Sequence, residues 1–183
     1  MVCSQCKLDG HTRATCPELV LPVPLTPITL SAEDCEKLAH LAGLCIEVAR
    51  GLGKGHVEGA YQQALGIELQ EAGIAYGMEE VMPIIYNGRP LGGGHQLRLD
   101  VILYSYMDFI YELKAVSKIC SDHHWQLVRY MSYKNVPFGA VVNFNQSERG
   151  QIDIQFIVHH EGNYWLYDSA TKMGRPLADF SLV

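Results

Sequence analysis

Between Phe109 and Val116 the chain reads FIYELKAV, an apolar and aromatic run interrupted by Glu112 and Lys114. A short run of this kind is a strand with at least one face in the core. Side chains two apart on a strand share a face, so Glu112 and Lys114 project together while Tyr111, Leu113 and Ala115 project the other way. A carboxylate and an ammonium on a central strand are costly to bury unless they are paired or hold a ligand. A strand so largely covered needs layers on both sides of its sheet, and the flanking sequence supplies them.

Ser31 can cap a helix with Asp34 at its third position, and SAEDCEKLAHLAGLCIEVARGLG from there spaces its apolar residues at helical period. HVEGAYQQALGIELQEAG predicts a second helix ending at Gly73, a left-handed cap. VMPIIY leads into Asn87-Gly88, a hairpin signal, and HQLRLDVILY and FIYELKAV follow as strands. Residues 121–134 read as helix, FGAVVNF as a buried strand, and IDIQFIVHHEGNYWLYDS as a hairpin turning at Gly162. The order helix, helix, three strands, helix, strand and two more strands predicts an α/β sandwich around a mixed sheet.

The 183 residues suit one core with small appendages. Residues 1–16 differ from the rest, 17–30 carry prolines at 17, 22, 24 and 27 and read as a semi-rigid linker, and 31–183 form the globular body. No apolar run has the length of a membrane span, and the N-terminus lacks the order of a signal peptide. The expectation is an intracellular, reducing compartment, cytoplasmic or nuclear, with cysteines as metal ligands or free thiols. A net charge of -6 argues against strong non-specific attraction to nucleic acid, although carboxylates clustered around a metal can dominate the sum.

Asp100 lies on the strand before Glu112, and a turn near Ser105 to Asp108 brings the two alongside. Two carboxylates meeting on one face repel by up to about 4 kcal/mol at intermediate dielectric. Mg²⁺ is commonly held by one or two carboxylates with water and phosphate completing its shell. Lys114 beside it can position or deprotonate an attacking water and stabilise charge building on phosphorus, which is the chemistry of phosphodiester hydrolysis. An ordinary strand with a solvated polar face accounts for these three residues as well.

Asp100 followed by ELK at 112–114 resembles the PD-(D/E)XK nuclease core, with Leu99 where the proline stands. GHVEGAYQQAL is similar to the GxxExxY signature of a family in that superfamily, with Gly55, Glu58 and Tyr61 on the matching positions. The likeness runs from about Gly53 to Asn145 through PIIYNGRPL, RLDVIL, YELKAV, HHWQLVRYM and VVNF. It implies an αβββαβ core with a mixed central sheet. It further implies Glu58, Asp100, Glu112 and the backbone carbonyl of Leu113 as ligands of Mg²⁺ or Mn²⁺, and Lys114 as catalytic lysine. Gln126 and Tyr130, four apart on one helical face, match the QxxxY element that lines the site in relatives. His123 reads as a solvated side chain, and Tyr61 and Trp125 read as packing residues.

CSQCKLDGHTRATC places Cys3, Cys6, His11 and Cys16 at the spacing C-x2-C-x4-H-x4-C, the zinc-knuckle pattern. Four protein ligands close a Zn²⁺ shell, so the site is structural, and folding of so short a segment is coupled to the metal. Knuckles usually grip nucleic acid with single-stranded character, and Lys7 and Arg13 are the candidate phosphate contacts; with Ser4 where an aromatic is common and Lys7 where Gly is common, weak nucleic-acid binding and a protein contact are both open. The functional expectation is a divalent-metal-dependent nuclease tethered to a zinc knuckle. The alternative is an inactive nucleic-acid-binding or adaptor protein that retains the fold.

Overall fold

The computed structural model describes residues 24–144, 146 and 152–177. In chain order the elements are β1 (Thr26–Pro27), α1 (Ala32–Leu52), α2 (Glu58–Glu71), β2 (Tyr76–Pro83), β3 (Ile85–Tyr86), β4 (Arg89–Pro90), β5 (Gln96–Leu103), β6 (Phe109–Lys114), α3 (Ser121–Lys134), β7 (Phe138–Phe144), β8 (Ile152–His160), β9 (Asn163–Asp168) and β10 (Met173–Pro176). The predicted knuckle residues Cys3, Cys6, His11 and Cys16, with Lys7 and Arg13, lie outside the described residues.

Local signals act where the sequence places them. The Asp34 amide donates to Ser31 Oγ at 3.0 Å and starts α1. Gly73 has φ 70° after α2. Asn87 and Gly88 both take positive φ and join β3 to β4 in a separate two-stranded ribbon, and Glu161-Gly162 turns β8 into β9 in the same way.

One sheet runs in the order β1-β10-β9-β8-β7-β6-β5-β2. β6 and β7 are parallel because α3 crosses between them, while β2, β5 and β6 are antiparallel neighbours. Helices α1 and α2 cover one face, where Leu41, Cys45, Tyr61 and Leu65 pack on Tyr111, Leu113, Ala140 and Val142. Helix α3 covers the other, where Leu127, Val128 and Met131 meet Ile102, Ile110 and Val141. The result is a mixed α/β sandwich in which β6 is an interior strand covered on both faces, which is why four of its six residues are apolar. Among the described residues no helix is long and apolar enough to cross a membrane.

The linker expectation fails at its C-terminal end. Thr26 and Pro27 pair with Gly174 and Met173, and Ile28 is 1% exposed in the core. Proline is tolerated there because β1 is the last strand of the sheet and needs no donor on its outer side.

Gly139 on β7 lies directly beneath α3. A Cβ there would stand 2.9 Å from the Ile110 carbonyl oxygen, 3.0 Å from Leu127 Cδ1 and 3.1 Å from Met131 Sδ. The backbone oxygen cannot yield without disturbing β6, so Gly139→Ala is expected to destabilise the fold by about 1–3 kcal/mol in urea unfolding. An unchanged midpoint would show that α3 is not seated this closely.

Candidate active site

β5 and β6 pair only at Val101↔Tyr111 and Ile102↔Ile110, and then they part. The Asp100 side chain fills the opening, its Oδ2 accepting the Leu113 N–H at 2.7 Å. A side-chain oxygen thus replaces the ladder bond and turns the sheet into a fork. On the other edge of β5 the ladder with β2 skips one level between Met78↔Val101 and Glu80↔Leu99. No residue is inserted there. At the skipped level Glu79 has φ 53°, a left-handed conformation that costs a non-glycine residue about 1–3 kcal/mol.

The two strands exchange faces at this level. Val101 and Leu103 belong to the α1/α2 side of the core, whereas Leu97 and Leu99 belong to the α3 side. Met78 and Met82 divide in the same way. Strict alternation would keep each set on one side, so the backbone turns over at Glu79 and Asp100.

Gln62 holds this turn. It is 6% exposed, and its Nε2 donates to the Asp100 carbonyl oxygen at 2.8 Å and to Glu79 Oε1 at 2.9 Å. Glu79 Oε2 pairs with Arg98 Nε at 2.8 Å. None of Gln62, Glu79 and Arg98 stands out in the sequence. A signal was present for the first: Gln62 follows Glu58 by four residues and so shares its helical face.

Glu112 and Lys114 extend from β6 on the same side as Ile110. Glu112 has no exposed surface, its Oε1 pairs with Lys114 Nζ, and its Oε2 has no hydrogen-bond partner. Burial, with the Asp100 charge adding to it, pushes the Glu112 carboxyl up to about 8 despite the opposing Lys114 ammonium. Burial likewise raises Asp100, against the Leu113 amide and Lys114. Lys114 Nζ also donates to the Leu113 carbonyl at 2.9 Å and lies 4.0 Å from Glu58 Oε2. Burial pulls the lysine down, yet the surrounding carboxylates of Glu112, Glu58 and Asp100 outweigh it and hold the amine charged.

Glu58 is the first residue of α2 and about half exposed, and burial raises it against the pull of Lys114. The loop leading to it is pinned by Tyr61, whose hydroxyl donates to the Gly53 carbonyl at 2.9 Å and whose ring stacks on Phe144. Gln126 Nε2 donates to the Tyr130 hydroxyl at 3.0 Å. Burial raises Tyr130, and the charges of Glu112 and Asp100 add to this, so Tyr130 stands within electrostatic reach of the fork. His123 serves α3 itself: its Nδ1 accepts the Cys120 N–H at 3.2 Å. Trp125 packs against the α3-side core.

The structure therefore brings Glu58, Asp100, Glu112 and Lys114 into one electrostatic cluster, with Leu113, Gln126 and Tyr130 at its border. Among the described residues no three His, Cys, Asp or Glu side chains stand gathered as a ready metal cage. Two carboxylates, a carbonyl oxygen and water are nevertheless a sufficient set for a hard cation, and the buried Glu112 oxygen without a partner fits one. Neither a curated protein nor a solved structure matches the chain. A family model of the PD-(D/E)XK nuclease superfamily matches residues 36–154, from within α1 to β8. On that match, which spans well over half of the 183 residues and contains every residue of the fork, the chain belongs to the PD-(D/E)XK nuclease superfamily.

Proposed function

We propose that this protein is a divalent-metal-dependent nuclease of the GxxExxY type, hydrolysing phosphodiester bonds at the fork between β5 and β6. The observation that carries the reading is the Glu112 carboxylate, fully buried beside Asp100 with one oxygen unpartnered. A carboxylate in that position costs several kcal/mol unless a proton or a cation answers it. Asp100, Glu112 and the Leu113 carbonyl would hold Mg²⁺ or Mn²⁺, with Glu58 closing the cluster from the end of α2. When bound, the ion supplies Lewis-acid polarisation of the phosphate and a more acidic water.

The chain's own groups do the rest. With Glu112 engaged as a ligand, the Lys114 amine would be free to face the substrate, where it would orient the water and offset charge on the phosphoryl oxygens. The Gln126–Tyr130 pair borders the same space and fixes the substrate's position. Asp100 stays in place through its bond to the Leu113 amide.

Cys3, Cys6, His11 and Cys16 are proposed to bind a structural Zn²⁺, with Lys7 and Arg13 meeting phosphates of a strand with single-stranded character. Such a module, joined through the proline-rich segment, would raise the local concentration of substrate at the fork. Cysteines kept as zinc ligands go with a reducing compartment.

The test is a panel of labelled DNA and RNA, single- and double-stranded, incubated with Mg²⁺, Mn²⁺ or chelator. Cutting is expected with a divalent ion only, and Asp100→Asn is expected to remove it. Equal cutting in chelator, or by Asp100→Asn, would overturn the reading. Tight binding without cutting under every condition would support the adaptor role instead.

A further inference from the structure

The bonds that hold Asp100 continue to a guanidinium. From the Asp100 carbonyl the chain of contacts passes through Gln62 to Glu79 and from Glu79 to Arg98 Nε. Arg98 is two residues before Asp100 on β5, in the part of the strand that has left β6. Its side chain is 67% exposed, and it meets Glu79 through Nε at 2.8 Å. Its charge opposes the burial that raises Glu58 and Asp100, so it stands within electrostatic reach of both.

A merely structural ion pair does not account for this arrangement. An exposed pair contributes less than the left-handed backbone of Glu79 costs. The pair is too weak to be the reason for the conformation that makes it. What the conformation does achieve is to aim a carboxylate along the Arg98 side chain while Gln62 fixes its other oxygen. A guanidinium held by Nε offers its paired Nη groups in the fork geometry that suits phosphate. Glu58, Asp100 and Glu112 repel a polyanion, so a cation within electrostatic reach of Glu58 and Asp100 answers a need that Lys114 alone does not meet.

We infer that Arg98 is a nucleic-acid phosphate contact, presented by Gln62 and Glu79, that takes a backbone phosphate next to the one being cut. The inference rests on the nuclease reading and adds a substrate-binding residue to it.

The experiment measures fluorescence anisotropy of fluorescein-labelled DNA and RNA oligonucleotides across a salt series. It uses full-length protein in an Asp100→Asn background with Mg²⁺, so that binding is read without cutting. Arg98→Gln is expected to weaken binding about tenfold at low salt and to lower the slope of log affinity against log salt by about 0.7 to 0.9, the value for one phosphate contact. Arg98→Lys is expected to restore the slope, since charge is retained. Glu79→Gln breaks the same ion pair but leaves the guanidinium, and is expected to lower affinity by less than Arg98→Gln does while keeping the full slope. Equal losses of slope in Arg98→Gln and Glu79→Gln would mean that the pair is structural and would overturn the inference. So would an unchanged slope in Arg98→Gln while the wild-type protein cuts the same oligonucleotides with Mg²⁺, and that outcome leaves the nuclease reading standing. No binding and no cutting by any version would remove both.

Discussion

Lys114→Ala is expected to lower Mg²⁺-dependent cleavage by about 10²–10³-fold while leaving the fold and the divalent ion's affinity nearly intact. One positioned donor that meets charge developing in a transition state typically contributes that much. The amine sits on β6 between the Leu113 carbonyl and the Glu112 carboxylate, and its side chain is 12% exposed, so it has little freedom to be elsewhere. Removing it leaves Asp100 and Glu112 in place to hold a cation. The measurement is kcat on the best substrate of the cleavage panel, with Mn²⁺ titration and near-ultraviolet dichroism as controls for metal and fold. Retention of more than a tenth of the wild-type rate would take the amine out of the chemistry. Arg at the same position keeps the charge but not the compact point donor, and is expected to recover little.

The second large effect concerns pH and metal together. The Glu112 carboxyl is raised from 4.5 to about 8 in the fold. A raised carboxyl means that the native state binds its proton more tightly than the unfolded chain does. Stability without divalent ion therefore falls as pH rises, beginning near the unfolded value and continuing through about pH 8. Asp100 and Glu58, also raised, act in the same direction. Lys114 is raised above 10.5 and does not titrate in this window. Each tenfold difference in proton affinity between the native and unfolded states is worth about 1.4 kcal/mol, so the loss is on the order of a few kcal/mol. For a chain of this size that is a Tm fall of roughly 5–10 °C between about pH 5 and pH 8 in chelator. Mg²⁺ or Mn²⁺ should abolish most of the fall, because the cation stabilises the ionised carboxylate and releases a proton as it binds. Glu112→Gln is expected to show a much flatter profile and no metal response. A wild-type Tm that rises from pH 5 to pH 8 in chelator would refute the burial of a carboxylate that Lys114 answers at one oxygen only.

What the sequence made legible follows the physics of short range. The bounds of α3 and β7, the Asn87-Gly88 hairpin and the pairing of Glu112 with Lys114 are set by residues within a few positions of one another, and periodicity reports them. The turnover at Glu79 and Asp100 has no such local cause. It is held by Gln62, 17 residues before Glu79 and 38 before Asp100, and no periodicity links positions so far apart. Leu97, Leu99, Val101 and Leu103 keep the alternation of an ordinary strand while serving two different faces, so the pattern conceals the turn. Ile28 was hidden differently: the prolines around it describe a chain that avoids interior ladders, and an outer strand asks for nothing else.

β5 is joined to β2 at seven residue pairs but to β6 at two. Beyond that short seam the β2/β5 ribbon is tied to both helix layers, to α3 by Lys134 to Glu80 and to α2 by Gln62 to Glu79 and the Asp100 carbonyl. The arrangement is that of a jaw: its hinge is the seam, and how wide it gapes is set by one tie to each helix layer, Lys134 of α3 near its outer end and Gln62 of α2 beside the acids it encloses.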